Sequence, residues 1–159
     1  MDRAFDLSEN GDYVKAIRCY DQVLNEYPNN IRALIDKGVS LQHLGRLKKS
    51  VELYDKALMI NPKDIDGLIN KGSALHSMGK YHDAIRLYDV ALKIDKKCAV
   101  ALAYKGLSLG ELNRTEEALG YFKKALEIDH DYDLAYLSKK KAQDIIKFRI
   151  KTIKYSKTL

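Results

Sequence analysis

The chain has 159 residues, 46% of them apolar and 31% charged, which excludes a fibrous or wholly disordered chain and makes one domain over residues 1–159 the expectation. No apolar run reaches the roughly eighteen residues of a membrane span, and Met1 to Asn10 lacks the pattern of a signal peptide, so a cytoplasmic location is expected. The net charge of +6 is local, because residues 139–159 carry +7 and residues 1–138 sum to −1; any pull on nucleic acid or anionic lipid is expected from the C-terminal end alone.

Sliding the sequence against itself by 34 residues brings its columns into line, with fourteen identities between 31–64 and 65–98, where ordinary composition gives roughly two. The chain is therefore an array: a shortened unit 1–30, full units 31–64, 65–98 and 99–132, and a final segment 133–159. In the first unit, Met1 to Asn10 supplies part of a helix, Gly11 stops it, Ala16, Tyr20 and Leu24 line a second helix, and Pro28 ends it. The second unit repeats this with Gly38 inside its first helix, Gly45 at the stop, then Ser50, Tyr54, Ala57, Leu58 and Pro62. The third has Gly72, Gly79, Ala84, Tyr88, Ala91 and Leu92; the fourth has Gly106, Asn113, Ala118, Phe122, Ala125 and Leu126. Glycine inside a helix costs about 1 kcal/mol against alanine, so Gly38, Gly72 and Gly106 predict a second backbone at close approach. Lys96 and His130 replace the unit-ending proline later on. From Asp133 there is no glycine or proline, and Ala135, Ala142, Ile145, Ile146, Ile150 and Ile153 share one arc of a helix of about twenty residues.

Leu34, Gly38, Leu41, Gly45, Ser50, Tyr54, Ala57 and Pro62, with their counterparts in the next two units, resemble the tetratricopeptide repeat over nearly the whole chain. The departures are Leu34, Leu68 and Leu102 where tryptophan is common, and the lysine ladder Lys37, Lys71, Lys105 and Lys139 before the glycine. The ladder reads as buried stems with solvated heads, the alternative being a polyanion-binding ladder. The resemblance implies an all-α fold, an α-solenoid of antiparallel helix pairs in a right-handed superhelix, with about four repeats and a long C-terminal capping helix over 133–159.

It also implies a non-catalytic scaffold whose first helices line a concave groove for a peptide or helix of another protein. Groove residues expected on that basis are Arg32, Ile35, Asp36, Val39 and His43, then Asp66, Ile69, Asn70, Ser73 and His76, then Val100, Ala103, Tyr104 and Leu107. Ile35, Val39, Ile69, Ala103 and Leu107 are expected as an apolar stripe. Family members that grip chaperone C-termini use a Lys/Asn/Arg clamp. The matching places here hold Ile35, Val39, Asn70, Val100 and Tyr104, so no carboxylate clamp is expected.

His43 and His76 are too few for a metal site, and Cys19 and Cys98 stand far apart and are expected as buried reduced thiols. No phosphate loop, GxSxG or HExxH motif is present, so neither an enzyme nor a cofactor is expected. The basic residues Lys139, Lys140, Lys141, Lys147, Arg149, Lys151 and Lys154 belong to the last helix. That helix reads first as a solubilising cap. The alternatives are self-association through Phe148, Ile150 and Ile153 or through the incomplete N-terminal unit, and contact with anionic membrane or nucleic acid.

Overall fold

The computed structural model describes residues 1–156, with side chains described through residue 153. Its helices are α1 (Asp2–Glu9), α2 (Tyr13–Glu26), α3 (Ile31–His43), α4 (Leu47–Ile60), α5 (Ile65–Ser77), α6 (Tyr81–Ile94), α7 (Ala99–Glu111), α8 (Thr115–Ile128) and α9 (Asp133–Ser156). The fold is all-α, with successive helices packed as antiparallel pairs. The chain forms two compact units, Met1–Leu87 and Tyr88–Leu159, which meet within α6. In the first, α2 lies against α1 and α3, and α4 against α3 and α5; in the second, α8 lies against α7 and α9.

The turns between paired helices are set by backbone chemistry. Gly11, Gly45 and Gly79 have φ of 78°, 71° and 75°, and Asn113 has φ 59°, the left-handed conformation in which a helix reverses. After α3, the Gly45 N–H donates to Gln42 O and the Arg46 N–H to Leu41 O, both at 2.9 Å, so the last carbonyls of the helix are satisfied inside a tight turn. Side-chain caps open α3 and α5: the Ala33 N–H donates to Asn30 Oδ1 at 2.9 Å and the Gly67 N–H to Asp64 Oδ1 at 2.8 Å. Cys98 stands in the same place before α7 and makes no such cap. Cys19 and Cys98 are free thiols, half-buried and not fully enclosed as the sequence suggested.

The core repeats with the sequence. Tyr20, Tyr54, Tyr88 and Phe122 are at most 3% exposed, and Ala16, Ala57, Ala91 and Ala125 are fully buried around them. Burying each such ring contributes about 1.5–3 kcal/mol. Gly38 is where the Tyr54 ring crosses α3, since a methyl group there would stand 2.5 Å from Tyr54 Cε1; at Gly106 it would stand 2.6 Å from Phe122 Cε1. The first contact lies inside the unit Met1–Leu87 and the second inside Tyr88–Leu159, and each accounts for a glycine in mid-helix.

Gly38→Ala is expected to lower stability by about 1–3 kcal/mol, because the buried Tyr54 ring has no open space to move into. Gly120→Ala, in α8 with nothing within 4 Å of the new methyl group, should instead raise it by about 0.5–1 kcal/mol. Urea unfolding of the two variants checks the contrast; equal effects would mean that the ring contact does not explain the glycine.

Candidate functional site

Within the first unit, the exposed side of α3 and α5 carries most of the expected groove residues. The Arg32 Nε donates to Asp36 Oδ2 at 2.8 Å one turn along α3. Burial raises the pKa of Asp36 above the ordinary aspartate value; Arg32 opposes that shift and the nearby Asp66 carboxylate adds to it. Two carboxylates on neighbouring first helices thus share one guanidinium, whose own pKa is raised by the Asp36 hydrogen bond and by both charges. Asn70 Nδ2 donates to Asp66 O at 2.9 Å, and its side-chain carbonyl oxygen is an acceptor in kind. His43 stacks on Tyr13, centroids 4.6 Å apart, and His76 meets the edge of Tyr81 at 5.2 Å. No group of three or more His, Cys, Asp or Glu able to hold a metal gathers among the described residues.

The apolar stripe does not stand open as the sequence reading expected. Ile35, Ile69 and Ala103 are 4%, 7% and 0% exposed, while Val39, Tyr104 and Leu107 are half-buried and Val100 is exposed. The reason is visible in the first unit, where α3 lies against α5 as well as against its own partner α4. Gln42 Nε2 donates to Ser73 Oγ at 3.0 Å across the two first helices, and Tyr54 Oη donates to Gln42 Oε1 at 3.2 Å. Ile35 is therefore part of a core cluster with Ala74 of α5. What remains exposed is Arg32, His43 and Asp66, with Asp36 and Asn70 half-buried beside them.

The lysine ladder proves to be a ladder of ion pairs. Lys37 pairs with Asp21, Lys71 with Asp55 at 2.5 Å, and Lys105 with Asp89 at 2.5 Å, each lysine on a first helix reaching back sixteen residues to the preceding second helix. The lysines are 12–23% exposed and the aspartates 44–50%, so the stems are covered and the heads are neutralised rather than free. Burial alone would lower the Lys105 pKa, but hydrogen bonds to Asp89 and Tyr121 outweigh it and the net shift is upward. Sequence reasoning missed these partners, although the recurring Tyr-Asp pairs at 20–21, 54–55 and 88–89 carried the signal. The fourth place reads Phe122-Lys123, so the rung facing Lys139 holds a lysine where the others hold an aspartate. Lys139 lies over the Tyr136 ring instead, 5.4 Å from its centroid.

In the second unit, α9 runs for 24 residues. Ala135 and Ala142 are buried, and this side lies against α7 and α8. Leu137, Ile145 and Phe148 are 63%, 36% and 73% exposed, and Ile150 and Ile153 are also exposed. Lys140, Lys141, Lys147, Arg149 and Lys151 are exposed as well. The Lys154 side chain lies outside the described residues. No helix among the described residues is long and apolar enough to cross a membrane.

Two models of the tetratricopeptide repeat match residues 7–71 and 69–133. No curated protein is similar enough to the chain to count as a relative. Among solved structures, MamA is similar with a TM-score of 0.78 at 25% identity, covering 99% of this chain and 92% of MamA. The Sgt2 TPR domain from Aspergillus fumigatus is similar with a TM-score of 0.73 at 20% identity, over 76% of this chain and 82% of that one. The first TPR of Spaghetti (RPAP3), solved bound to the HSP90 peptide SRMEEVD, gives a TM-score of 0.69 at 20% identity, over 73% and 92% of the two chains.

Completing the odd rung is a direct test of the ladder. Lys123→Asp should pair with Lys139 and raise stability by up to about 1 kcal/mol, while Lys123→Ala, which only removes a like charge, should gain less. Urea unfolding at low salt, with the difference shrinking at high salt, checks this; equal gains would mean that the pair does not form.

Proposed function

Since the chain belongs to the tetratricopeptide repeat family, we propose that it is a non-catalytic scaffold that holds a segment of another protein along the first helices of its repeats. The observation that carries the reading is the pair of carboxylates on α3 and α5 of the first unit, Asp36 bonded to Arg32 and Asp66 acting on the same guanidinium through its charge, while Lys37 and Lys71 of these helices are paired elsewhere. A surface with surplus negative charge, the half-buried Asn70 amide and two histidine–tyrosine ring pairs suits a segment that brings a lysine, an arginine or unpaired N–H groups. With Ile35, Ile69 and Ala103 enclosed, hydrogen bonds and charge supply the recognition, with less help from apolar anchors than the sequence suggested.

An acidic chaperone tail such as the one in the RPAP3 structure is a poor fit to this wall. Of the clamp residues, only Asn70 is present, and Asp36 and Asp66 would repel a terminal carboxylate. The main alternative, contact through the basic C-terminal helix with an anionic membrane or nucleic acid, predicts that capture follows the cations of α9 and falls steeply with salt. Self-association predicts capture of the chain by itself.

The test is cross-linked capture of a partner with the intact chain, with Asp66→Lys/Asn70→Ala, and with Lys147→Gln/Arg149→Gln/Lys151→Gln. The wall variant should lose the partner by about tenfold or more, since reversing one charge opposite a cation removes an attraction and adds a repulsion. The tail variant should keep it. Capture by the intact chain should also weaken as the pH falls toward and through the acid range just above the ordinary aspartate value. Asp36, with its pKa raised by burial, loses its charge earlier on that descent than an ordinary aspartate does. Loss with the tail variant and retention by the wall variant would instead assign the activity to α9.

A further inference from the structure

α9 is a first helix for its opening turns, and what it presents on its outer side can be read by comparison with α3. Three repeat lengths separate Ile35, Val39 and Gln42 from Leu137, Lys141 and Asp144. On α3 these are the residues facing α5: Ile35 is enclosed with Ala74, and Gln42 bonds Ser73. On α9 the same positions face no helix among the described residues, and Leu137 is 63% exposed. The stripe continues one turn further to Phe148, 73% exposed, with Ile145 beside it. A shallow depression follows this line, lined also by Lys140 and Arg149. None of Lys140, Lys141 and Arg149 is held in an ion pair among the described residues.

We propose that this face of α9 is a second interaction site, taking one amphipathic helix of a partner protein with an apolar stripe flanked by glutamate or aspartate. The width of the face is that of one helix, because the equivalent face of α3 is covered by one helix, α5. Leu137, Ile145 and Phe148 supply apolar anchors, and Lys140, Lys141 and Arg149 set three cations against one acid, so an occupant with acidic flanks is complementary on both counts. Asp144 lies in the middle of the stripe and is its one acid. It would be stranded without a partner in a lipid interface and would repel nucleic acid, whereas a helical partner can meet it with a single lysine, arginine or amide group. Lys140 stands where α3 and α7 have Gly38 and Gly106, so a tightly seated aromatic of the kind Tyr54 and Phe122 provide is excluded from that position. The occupant there must reach the ammonium group with a carboxylate. This site is independent of the wall on α3 and α5.

The experiment uses the full chain and a fluorescein-labelled, side-chain-stapled helix with a leucine stripe and glutamate flanks. The control is the same peptide with lysine flanks. Fluorescence anisotropy should show binding of the acidic helix and not of the basic one. Phe148→Asp should weaken binding about tenfold or more, the scale of a lost central anchor. Lys141→Glu/Arg149→Glu should exchange the preference in favour of the lysine-flanked peptide, and Asp66→Lys should change nothing. Circular dichroism and the exchanged preference separate a lost site from a lost fold. The proposal is overturned if both peptides bind alike, if Phe148→Asp binds as well as the intact chain, or if neither binds. It is also overturned if phosphatidylserine vesicles or duplex DNA displace the peptide and bind the Phe148→Asp variant equally, which makes α9 a polyanion surface. Sedimentation showing a dimer that Phe148→Asp dissolves would assign the face to a second copy and overturn it too.

Discussion

A ring pressed against a bare backbone is the contact from which the geometry of these repeats follows. At Gly38 and Gly106 the first helix has no side chain, and Tyr54 and Phe122 from the paired helix fill the place that a methyl group would need. Helices drawn this close leave room only for small residues beside the ring, which accounts for Ala57 and Ala125 at zero exposure. They also require a turn that reverses the chain at once, and only a left-handed residue does so in that length. Gly45 and Asn113 are therefore consequences of the same approach, one in each unit. Helix propensity alone would have removed Gly38 and Gly106; packing retains them.

Between repeats the tie is of a different kind. The Lys–Asp pairs join each second helix to the following first helix at the protein's surface, where an exposed ion pair contributes about 0–1 kcal/mol. Such pairs add little to stability, yet they fix which charge stands where, and they leave the ladder with almost no net charge. That bears on function. Lysines that looked available for a polyanion at 37, 71 and 105 are already answered by Asp21, Asp55 and Asp89, so the ladder is not a free row of cations, whereas on α9 Lys140, Lys141 and Arg149 stand together around one depression. The first unit's wall has the opposite imbalance, two carboxylates to one guanidinium. The chain thus carries two surfaces of opposite sign, each on first helices, which favours partners of different chemistry on the two.

Features that answer a one-residue steric demand were legible in the sequence. A glycine at positive φ, a glycine under a ring and an alanine beside it each leave a mark that recurs every 34 residues. The exposure of Ile35, Ile69 and Ala103 was not legible, because the side of a first helix that faces a neighbouring repeat and the side that faces solvent differ by a fraction of a turn. Which of them closes depends on how α3 lies against α5, and only contacts such as Gln42 to Ser73 settle that. The ion pairs were half legible. Aspartate recurs beside each tyrosine, but its partner sits sixteen residues on in another helix, a spacing with no meaning inside a single helix. The long α9 was legible for a simpler reason: nothing in 133–156 breaks a helix, and a helix with neither glycine nor proline has no local signal to stop it.

The packing rule relaxes in the first and last described helices, and the two relaxations differ in kind. In α1 the glycine place holds Ala4, buried at 1%, and the Tyr20 hydroxyl has no partner. Ser8 holds the place of Gln42, the residue that receives Tyr54, and is engaged with Ser40 at 3.2 Å instead. This is a repeat that still closes its core while leaving one polar group unanswered, at a cost of about 1–3 kcal/mol. In α9 the glycine place holds Lys140, and there the core is not closed at all: Ala135 and Ala142 keep the inner side, and the outer sides carry charge and exposed rings. An alanine in the glycine place is a small defect in a packed pair. A lysine there leaves no room for a ring of the kind Tyr54 and Phe122 provide, and the outer face of α9 carries leucine, phenylalanine and exposed cations together.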